Sequence, residues 1–216
     1  MTEHNFEQMR RAMVANSLRT TGVNDPRVLA AMGAVPRERF VPRERIGIAY
    51  ADTLVPLGNG RDLNSPLALG RMLTEAAPQE GERVLVIGAA TGYAAAVMAR
   101  LAGSVVATED DPALVEWARQ ALAGTDVKLV EAPLSHGYVT GAPYDLILID
   151  GAVEVVPQTI IEQLVDRGRL ATGILDRGVS RISIGRRVGE GFGLAPMTDS
   201  ASAILPGFAK PRAFSF

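Results

Sequence analysis

A glycine-containing turn and an acidic residue further along the chain are the residues best suited to binding a nucleoside. The turn, Gly88-Ala-Ala-Thr-Gly92, ends the apolar run RVLVIG, and Glu109 ends the next apolar run, 21 residues after Gly88. Small residues let a ligand approach the backbone, and a carboxylate at that distance can accept both hydroxyls of a ribose. The spacing predicts a nucleoside site at 88–92 with Glu109 on the ribose. Because two further acids follow Glu109, these residues could instead only cap the helix that begins at Pro112.

A dinucleotide-dependent oxidoreductase is disfavoured by the same turn. The dinucleotide fingerprint requires glycines at 88, 90 and 93, but the chain has Ala90 and Tyr93. A third acidic position, Asp150, ends the apolar run YDLILID; its carboxylate either faces the ligand crevice or caps the next turn.

Composition excludes several other classes of site. The 216 residues contain no cysteine and only two histidines, so disulfides, thiolate metal sites and multi-histidine metal sites are excluded, and we expect no metal. The net charge of −2 argues against nucleic-acid binding as the main task. The N-terminus does not resemble a signal peptide, and the apolar stretch 84–107 is interrupted by glycines and Arg100. We therefore expect a cytoplasmic protein that contacts neither nucleic acid nor membrane.

The elements that position these residues follow from short apolar runs alternating with helical stretches from residue 83 onward. Such alternation predicts parallel βαβ units in an open α/β sheet, whose ligands bind at the carboxyl ends of the strands. Before residue 83 the pattern is helical, apart from an irregular region at 34–62. We expect one domain, 1–216, in which 1–80 is a helical extension with the active-site loop and 81–216 is the sheet core. The predicted strands are 83–88, 104–109, 127–132, 144–150, 169–174, and further strands from ISIGRRV into the tail; the predicted helices are 3–19, one from Asp25-Pro26, one from Ser65-Pro66, 92–102, 112–123 and 157–166.

Five blocks in chain order resemble the protein-L-isoaspartate (D-aspartate) O-methyltransferases. Together they cover most of the chain, which makes the resemblance far more specific than a glycine turn alone. The blocks are RRAMVANSLRTTGVNDPRVLAAMGAVPRERFVP (10–42), AYADTLVPLGNG (49–60), VLVIGAATGYAAAVMA (84–99), APYDLILIDGA (142–152) and EQLVDRGRL (162–170).

This resemblance implies a Rossmann-like S-adenosylmethionine-dependent methyltransferase fold: a mostly parallel twisted sheet with helices on both faces and an N-terminal helical extension. It implies that the cofactor is S-adenosyl-L-methionine and that the reaction methylates a carboxylate of isoaspartyl residues in damaged proteins, a repair activity. The partner would be a protein or peptide with isoaspartyl residues, and the chain a monomer or homodimer. The site residues expected from the spacing and the resemblance are Asn64 and Ser65 for catalysis, and Gly88, Ala89, Ala90, Thr91, Gly92, Glu109, Asp110 and Leu134 for the cofactor.

The chain departs from the family pattern at several site positions. Asn64 stands where the family's Gln-Thr-Ile-Ser loop has its catalytic serine, and Ser65 is expected to cap the following helix. Ala90 replaces the central glycine, Val86 the acid of the first strand, and 132–134 the adenine-contacting Gly-Asp-Gly turn. We therefore predict weak adenine recognition and weak isoaspartyl activity that Asn64→Ser partly restores. A cofactor-binding homologue without activity and a methyltransferase with another acceptor remain alternatives.

Overall fold

A seven-stranded sheet forms the centre of the molecule. A computed structural model describes residues 3–210, so the last six residues of the expected sheet core lie outside the described part. The sheet strands are β3 (Arg83–Ile87), β4 (Ser104–Glu109), β5 (Lys128–Glu131), β6 (Tyr144–Val153), β7 (Leu164–Asp176), β8 (Val179–Val188) and β9 (Gly191–Asp199), and a separate hairpin consists of β1 (Val55–Gly58) and β2 (Arg61–Leu63).

The strand order is β5-β4-β3-β6-β7-β8-β9, and the pairs from β5 to β7 are parallel whereas β8 and β9 are antiparallel. The chain runs outward from β3 through β4 to β5, then returns to the other side of β3 with β6. The order therefore reverses between β3 and β6, and such a switch point is where ligands bind in open α/β sheets.

Three helices begin with the same local signal, a side-chain cap followed by proline. In each case the side chain of the cap residue accepts a hydrogen bond from a backbone N–H in the first turn of the helix. Asp25 accepts from Arg27, Ser65 from Ala68 at 3.2 Å, and Asp111 from Ala113. The cap satisfies an orphan N–H, and proline needs no partner at the first position. The helices are α1 (Glu3–Ala12), α2 (Pro26–Ala34), α3 (Pro66–Ala76), α4 (Tyr93–Met98), α5 (Pro112–Ala121) and α6 (Gln158–Ile161); a π-helical turn, Met13–Leu18, continues α1.

The strands bury both of their faces, as expected for parallel strands covered by helices. In β3, Val84 and Val86 join one apolar cluster while Leu85 and Ile87 join a second one on the opposite face. The first cluster also takes in the N-terminal helices and α3 to α5, and the second lies under α6 and residues 205–208. Because both faces are packed, only the strand ends are left for chemistry.

The predicted α/β architecture is confirmed, but three predicted boundaries are wrong. Helix 157–166 is the single turn α6, because Leu164 already pairs with Tyr144 in the sheet and Gln163 O accepts from Tyr144 N at 2.8 Å. Helix 92–102 ends at Met98, and the region 34–62 contains 3-10 turns and most of the β1–β2 hairpin. Within residues 3–210, no helix is long and apolar enough to span a bilayer.

Candidate functional site

The register of the sheet brings three predicted positions into one row. Ile87 pairs with Thr108 of β4 on one side and with Ile149 of β6 on the other. Gly88, the next residue, therefore lies between Glu109, the last residue of β4, and Asp150, a residue of β6. The glycine turn and two carboxylates meet at the switch point.

Glu109 is fully buried and receives five hydrogen bonds. Arg61 of β2 forks onto both carboxylate oxygens, with Nη1 on Oε1 and Nη2 on Oε2, the latter at 2.8 Å. Three backbone N–H groups also donate: Ala90 at 2.7 Å, Asp110 at 2.9 Å and Asp111 at 3.2 Å. Burial alone would raise the pKa of Glu109, but the hydrogen bonds and charge of Arg61 outweigh it and hold the pKa below its ordinary 4.5. The carboxylate is charged at neutral pH.

The turn after β3 is shaped by its own backbone hydrogen bonds. Gly88 N and Ala89 N both donate to Thr108 O, at 3.0 and 2.9 Å, and Ala90 has a left-handed backbone with φ +50°. Gly92 also has positive φ, and a side chain there would lie 3.0 Å from Leu122 Cγ. The Gly92 position is therefore set by packing against Leu122, the residue after helix α5, whereas the backbone N–H of Ala90 points at Glu109.

Asn64 and Asp150 form the second polar contact of the site. Asn64 Nδ2 donates to Asp150 Oδ1 at 3.0 Å, and Asn64 Oδ1 accepts from Ala203 N at 3.2 Å. Both side chains are buried, with 2% and 4% exposed. Burial raises the pKa of Asp150 to about 6, despite the opposing effects of the Asn64 bond and the positive charge of Arg37. Asp150 is the group of this site whose charge changes near neutral pH.

Arg37 is a buried arginine that holds the backbone of Asn64 in place. It is fully buried, donates from Nη2 to Asn64 O at 2.6 Å and from Nε to Ala49 O at 2.8 Å. Its guanidinium carbon stands 4.5 Å from the centre of the Tyr93 ring, which accounts for Tyr93 at the position where the dinucleotide fingerprint has glycine. The aromatic ring holds the arginine that fixes the Asn64 backbone.

Residues 201–208, the closing segment, lie across the carboxyl ends of β3 and β6. Ala152 N donates to Ala203 O at 2.6 Å, and Leu205 N donates to Ala152 O at 3.0 Å. A side chain added at Gly88 would lie 2.8 Å from Leu205 Cδ1, so the open face of this glycine is in contact with Leu205. The closing segment covers the glycine turn and reaches Asn64.

The structure places the remaining predicted site residues as follows. Thr91 is buried and donates from its hydroxyl to Phe40 O at 2.7 Å. Asp110 accepts from Arg61 Nη1 at 3.2 Å, beside Glu109. Ser65 caps α3 as predicted, and Leu134 is buried in the second apolar cluster together with Leu205. Gly88, Ala89, Ala90, Asp110 and Glu109 thus come together, with Asn64 on the far side of the turn.

Two functional residues were missed by sequence reasoning. Arg37 lies in the charged run PRERF and resembles a solvated surface residue. Arg61 directly follows a glycine turn and gives no periodic signal. The available signal for Arg61 was its place in the stretch 61–64, where the family that the chain resembles usually reads Gln-Thr-Ile-Ser.

Comparison with known proteins shows which family the chain belongs to. The family model for protein-L-isoaspartate(D-aspartate) O-methyltransferase matches residues 8–191. A protein-L-isoaspartate O-methyltransferase of Methanoregula boonei is 40% identical over 186 residues, which is 85% of this chain and 86% of the relative. A protein-L-isoaspartate O-methyltransferase 1 of Rhodopseudomonas palustris is 39% identical over 181 residues, 82% of this chain and 74% of the relative. The chain belongs to the protein-L-isoaspartate(D-aspartate) O-methyltransferase family.

Solved structures of the family share the fold. One protein-L-isoaspartate O-methyltransferase superposes with a TM-score of 0.80 at 24% identity, over 92% of this chain and 66% of that chain. A Plasmodium falciparum protein provisionally described as a protein-L-isoaspartate O-methyltransferase, solved with S-adenosyl-L-homocysteine, superposes with a TM-score of 0.75 at 18% identity, over 91% of this chain and 97% of that chain. The predicted family and its Rossmann-like methyltransferase fold are confirmed. The family is one of S-adenosylmethionine-dependent protein carboxyl methyltransferases, as the resemblance implied.

The residues present suit that cofactor in chemistry, although this chain's own side chains cover them. Gly88 has no side chain at the place where one would obstruct a ligand, and Glu109 stands one strand away with the two oxygens that a ribose diol requires. Leu205 now contacts the glycine, and Arg61 holds the carboxylate. Both groups that the sequence assigned to the cofactor are thus in contact with other side chains of the chain itself.

Proposed function

We propose that this protein is an S-adenosylmethionine-dependent methyltransferase that methylates isoaspartyl carboxylates in proteins. Support comes from membership of the family over residues 8–191 and from the meeting of the glycine turn with Glu109 at the switch point of the sheet. The second of these observations carries the proposal, because ligands of open α/β sheets bind at such a switch point.

In this proposal Gly88 to Gly92 form the floor of the cofactor site and Glu109 accepts the ribose hydroxyls. The backbone N–H of Ala90 donates to Glu109 Oε2 at 2.7 Å and so fixes the position of the carboxylate. When bound, S-adenosylmethionine supplies an electrophilic methyl group on a positively charged sulfur. Asp110, at the exposed side of Glu109, and Leu134, in the wall next to Leu205, complete the predicted contacts.

Asn64 is the proposed positioning group for the acceptor. One N–H of its side-chain amide donates to Asp150. The second N–H could donate to a carboxylate oxygen of the methyl acceptor. A carboxylate with a pKa near 4 is already ionised at neutral pH, so the protein must orient it and exclude water rather than remove a proton. Orientation of this kind lowers barriers by about 7–11 kcal/mol in favourable intramolecular cases. Ser65 contributes by starting α3 with its cap and so fixes the backbone next to Asn64.

The proposal is tested by transfer of labelled methyl groups to an isoaspartyl peptide, with the same peptide containing ordinary aspartate as the control. Calorimetry with S-adenosylhomocysteine is run on the same protein. Binding together with labelling of the isoaspartyl peptide alone supports the proposal. Absence of both would contradict it.

A second function is favoured by one observation, the position of Asp150. Above pH 6 this carboxylate is negatively charged beside Asn64, and it would repel an incoming acceptor carboxylate. A methyltransferase with an uncharged acceptor, or a cofactor-binding protein without isoaspartyl activity, would not meet this repulsion. Tight binding of S-adenosylhomocysteine without methyl transfer to the isoaspartyl peptide at any pH would identify this second function.

A further inference from the structure

The ribose-binding group of the proposed site has no capacity left for a ribose. A carboxylate has about four lone-pair positions, and Glu109 already receives five donors. Three of these are backbone N–H groups from its own turn and the neighbouring one, which also hold the side chain in place. The other two come from a single side chain, Arg61, which is 4% exposed. Only Arg61 can leave without disturbing the backbone.

We propose that Arg61 gates the nucleoside site: its guanidinium competes with a ribose for the two oxygens of Glu109, and it moves onto Asp110 when a ribose binds. The gate rests on the proposed function, because it presumes that Glu109 binds a ribose. It adds to that function a residue that controls cofactor affinity.

Asp110 is the acceptor that makes this exchange feasible. Its Oδ1 already lies 3.2 Å from Arg61 Nη1, and its side chain is 36% exposed, whereas Glu109 is fully buried. An arginine that moved off Glu109 would therefore keep a charged partner and become more hydrated. Removal of an arginine from a buried carboxylate without a second partner would leave an unpaired charge.

The hairpin that carries Arg61 has an independent anchor. Asn59 Nδ2 donates to Asp111 Oδ2 at 3.0 Å, so the turn of the hairpin is tied to the start of α5 through another acid. The backbone of β2 can stay in place while the long side chain of Arg61 changes partner. The turn residues Gly58 and Gly60 have positive φ and no atom close to an added side chain, so nothing packs against the hairpin turn at these two positions.

The gate makes a specific demand on the ligand. Only a group that replaces both hydrogen bonds of the arginine fork satisfies Glu109 after the exchange, and a ribose with two free hydroxyls supplies two donors. Adenine or methionine alone supplies none at this position. Cofactor affinity should therefore depend more strongly on the two ribose hydroxyls than it would if no arginine occupied Glu109.

The experiment is calorimetry with S-adenosylhomocysteine on wild type, Arg61→Gln, Asp110→Asn and the double variant. Removal of the competing arginine should tighten binding roughly tenfold or more in Arg61→Gln, because hydrogen bonds to charged groups exceed the energy that a tenfold change in affinity represents. Asp110→Asn should weaken binding, since Arg61 then loses its alternative partner. Arg181→Gln, in the exposed pair with Asp199 at 2.7 Å, is the matched control and should leave the affinity unchanged.

The double variant separates gating from direct contact of Asp110 with the cofactor. If the gate is correct, Asp110→Asn has no effect once Arg61 is glutamine. An equal loss of affinity in both backgrounds would instead mean that Asp110 touches the ligand, and the exchange would be wrong. Far- and near-UV circular dichroism check that each variant is folded. If Arg61→Gln does not fold, Arg61→Met, which keeps an apolar side chain but has no donor, replaces it alone and together with Asp110→Asn.

The gate and the proposed function fail in different ways. Wild-type binding that Arg61→Gln leaves unchanged or weakens would overturn the gate while the proposed cofactor site stands. Absence of S-adenosylhomocysteine binding in every folded variant would overturn both.

Discussion

Glu109 and Asp150 are buried carboxylates on either side of the same glycine, and they behave in opposite ways. Glu109 receives five donors and its pKa is held below the ordinary value, whereas Asp150 receives one donor from Asn64 and its pKa is raised to about 6. Their exposure is nearly equal, at 0% and 4%. The difference teaches that the number and charge of the donors, and not depth alone, decide whether a buried acid keeps its charge.

The two sides of the site therefore have separate tasks. The Glu109 side is charged at neutral pH and is bound by a cation, so its carboxylate could exchange the donors of Arg61 for those of a ligand. The Asp150 side changes charge close to neutral pH and lies next to the residue proposed to position the acceptor. The two sides can be compared through Glu109→Gln and Asp150→Asn, which remove the charge of each acid but keep the shape of its side chain.

The largest effect is expected for Glu109→Gln. The neutral amide removes the buried acid that accepts both ends of the Arg61 fork and leaves Arg61 with the partly exposed Asp110. Breaking a buried pair costs up to about 3–5 kcal/mol of unfolding free energy. Asp150→Asn at pH 8 should instead leave stability unchanged or raise it, since it removes a charge that burial disfavours. Urea unfolding of both variants at pH 8 measures the contrast, and equal losses would contradict it.

The next effect is a pH dependence of opposite sign at the two acids. The folded pKa of Asp150 is raised from 3.8 to about 6, so its contribution to stability is fully present below about pH 4 and is lost as the pH rises through 6. One pKa unit corresponds to 1.36 kcal/mol, so Asp150→Asn should gain about 3 kcal/mol on wild type between pH 4 and 8. The folded pKa of Glu109 is lowered, so its stabilisation is present above 4.5 and is lost as the pH falls. Urea titrations between pH 4 and 8 check the slope for Asp150, and titrations below pH 4.5 check the slope for Glu109. Parallel curves for wild type and Asp150→Asn would contradict the assignment.

Asn64→Ser tests the acceptor side alone. The shorter hydroxyl cannot reach both Asp150 and Ala203 N, so an unfolding free energy loss of about 1–3 kcal/mol is expected from the group left without a partner. Turnover of an isoaspartyl peptide should nevertheless increase, because a misplacement of about 1 Å costs on the order of a hundredfold in rate and serine is the family's residue at this position. Methyl incorporation at saturating cofactor measures it. Wild-type turnover equal to or above that of Asn64→Ser would show that the amide positions the acceptor as well as the hydroxyl does.

The smallest effect is expected for Ala90→Gly on the Glu109 side. Ala90 has φ +50°, and relief of a left-handed alanine is worth about 1 kcal/mol. Ala89→Gly, at the neighbouring residue without positive φ, should lose stability because glycine adds only unfolded-state freedom there. Thermal unfolding compares the pair, and stabilisation by both or by neither would contradict the strain assigned to Ala90.

The strands and helix starts that surround this site could be predicted from the sequence. Apolar runs indicate where strands end, and Asp-Pro and Ser-Pro pairs indicate where helices begin. Glu109 was predicted from its distance to Gly88, and the structure places it beside the turn. What it contacts could not be predicted: Arg61 is 48 residues away, and nothing local distinguishes a buried arginine from a surface one. The short α6 was missed for a similar reason, since the sheet pairing of Leu164 overrides the local helical pattern.

The link from Ala203 N to Asn64 Oδ1 spans 139 positions of the chain, and it has a consequence for biosynthesis. Chains fold from the N-terminal side as they are made, and contacts between distant residues form late. Strands β3 to β7 can pair before residue 203 leaves the ribosome, but the amide of Asn64 has neither its second partner nor the cover of the closing segment until then. In a nascent chain the sheet can therefore form before the site is complete, and the contact of residue 203 with Asn64 is made last.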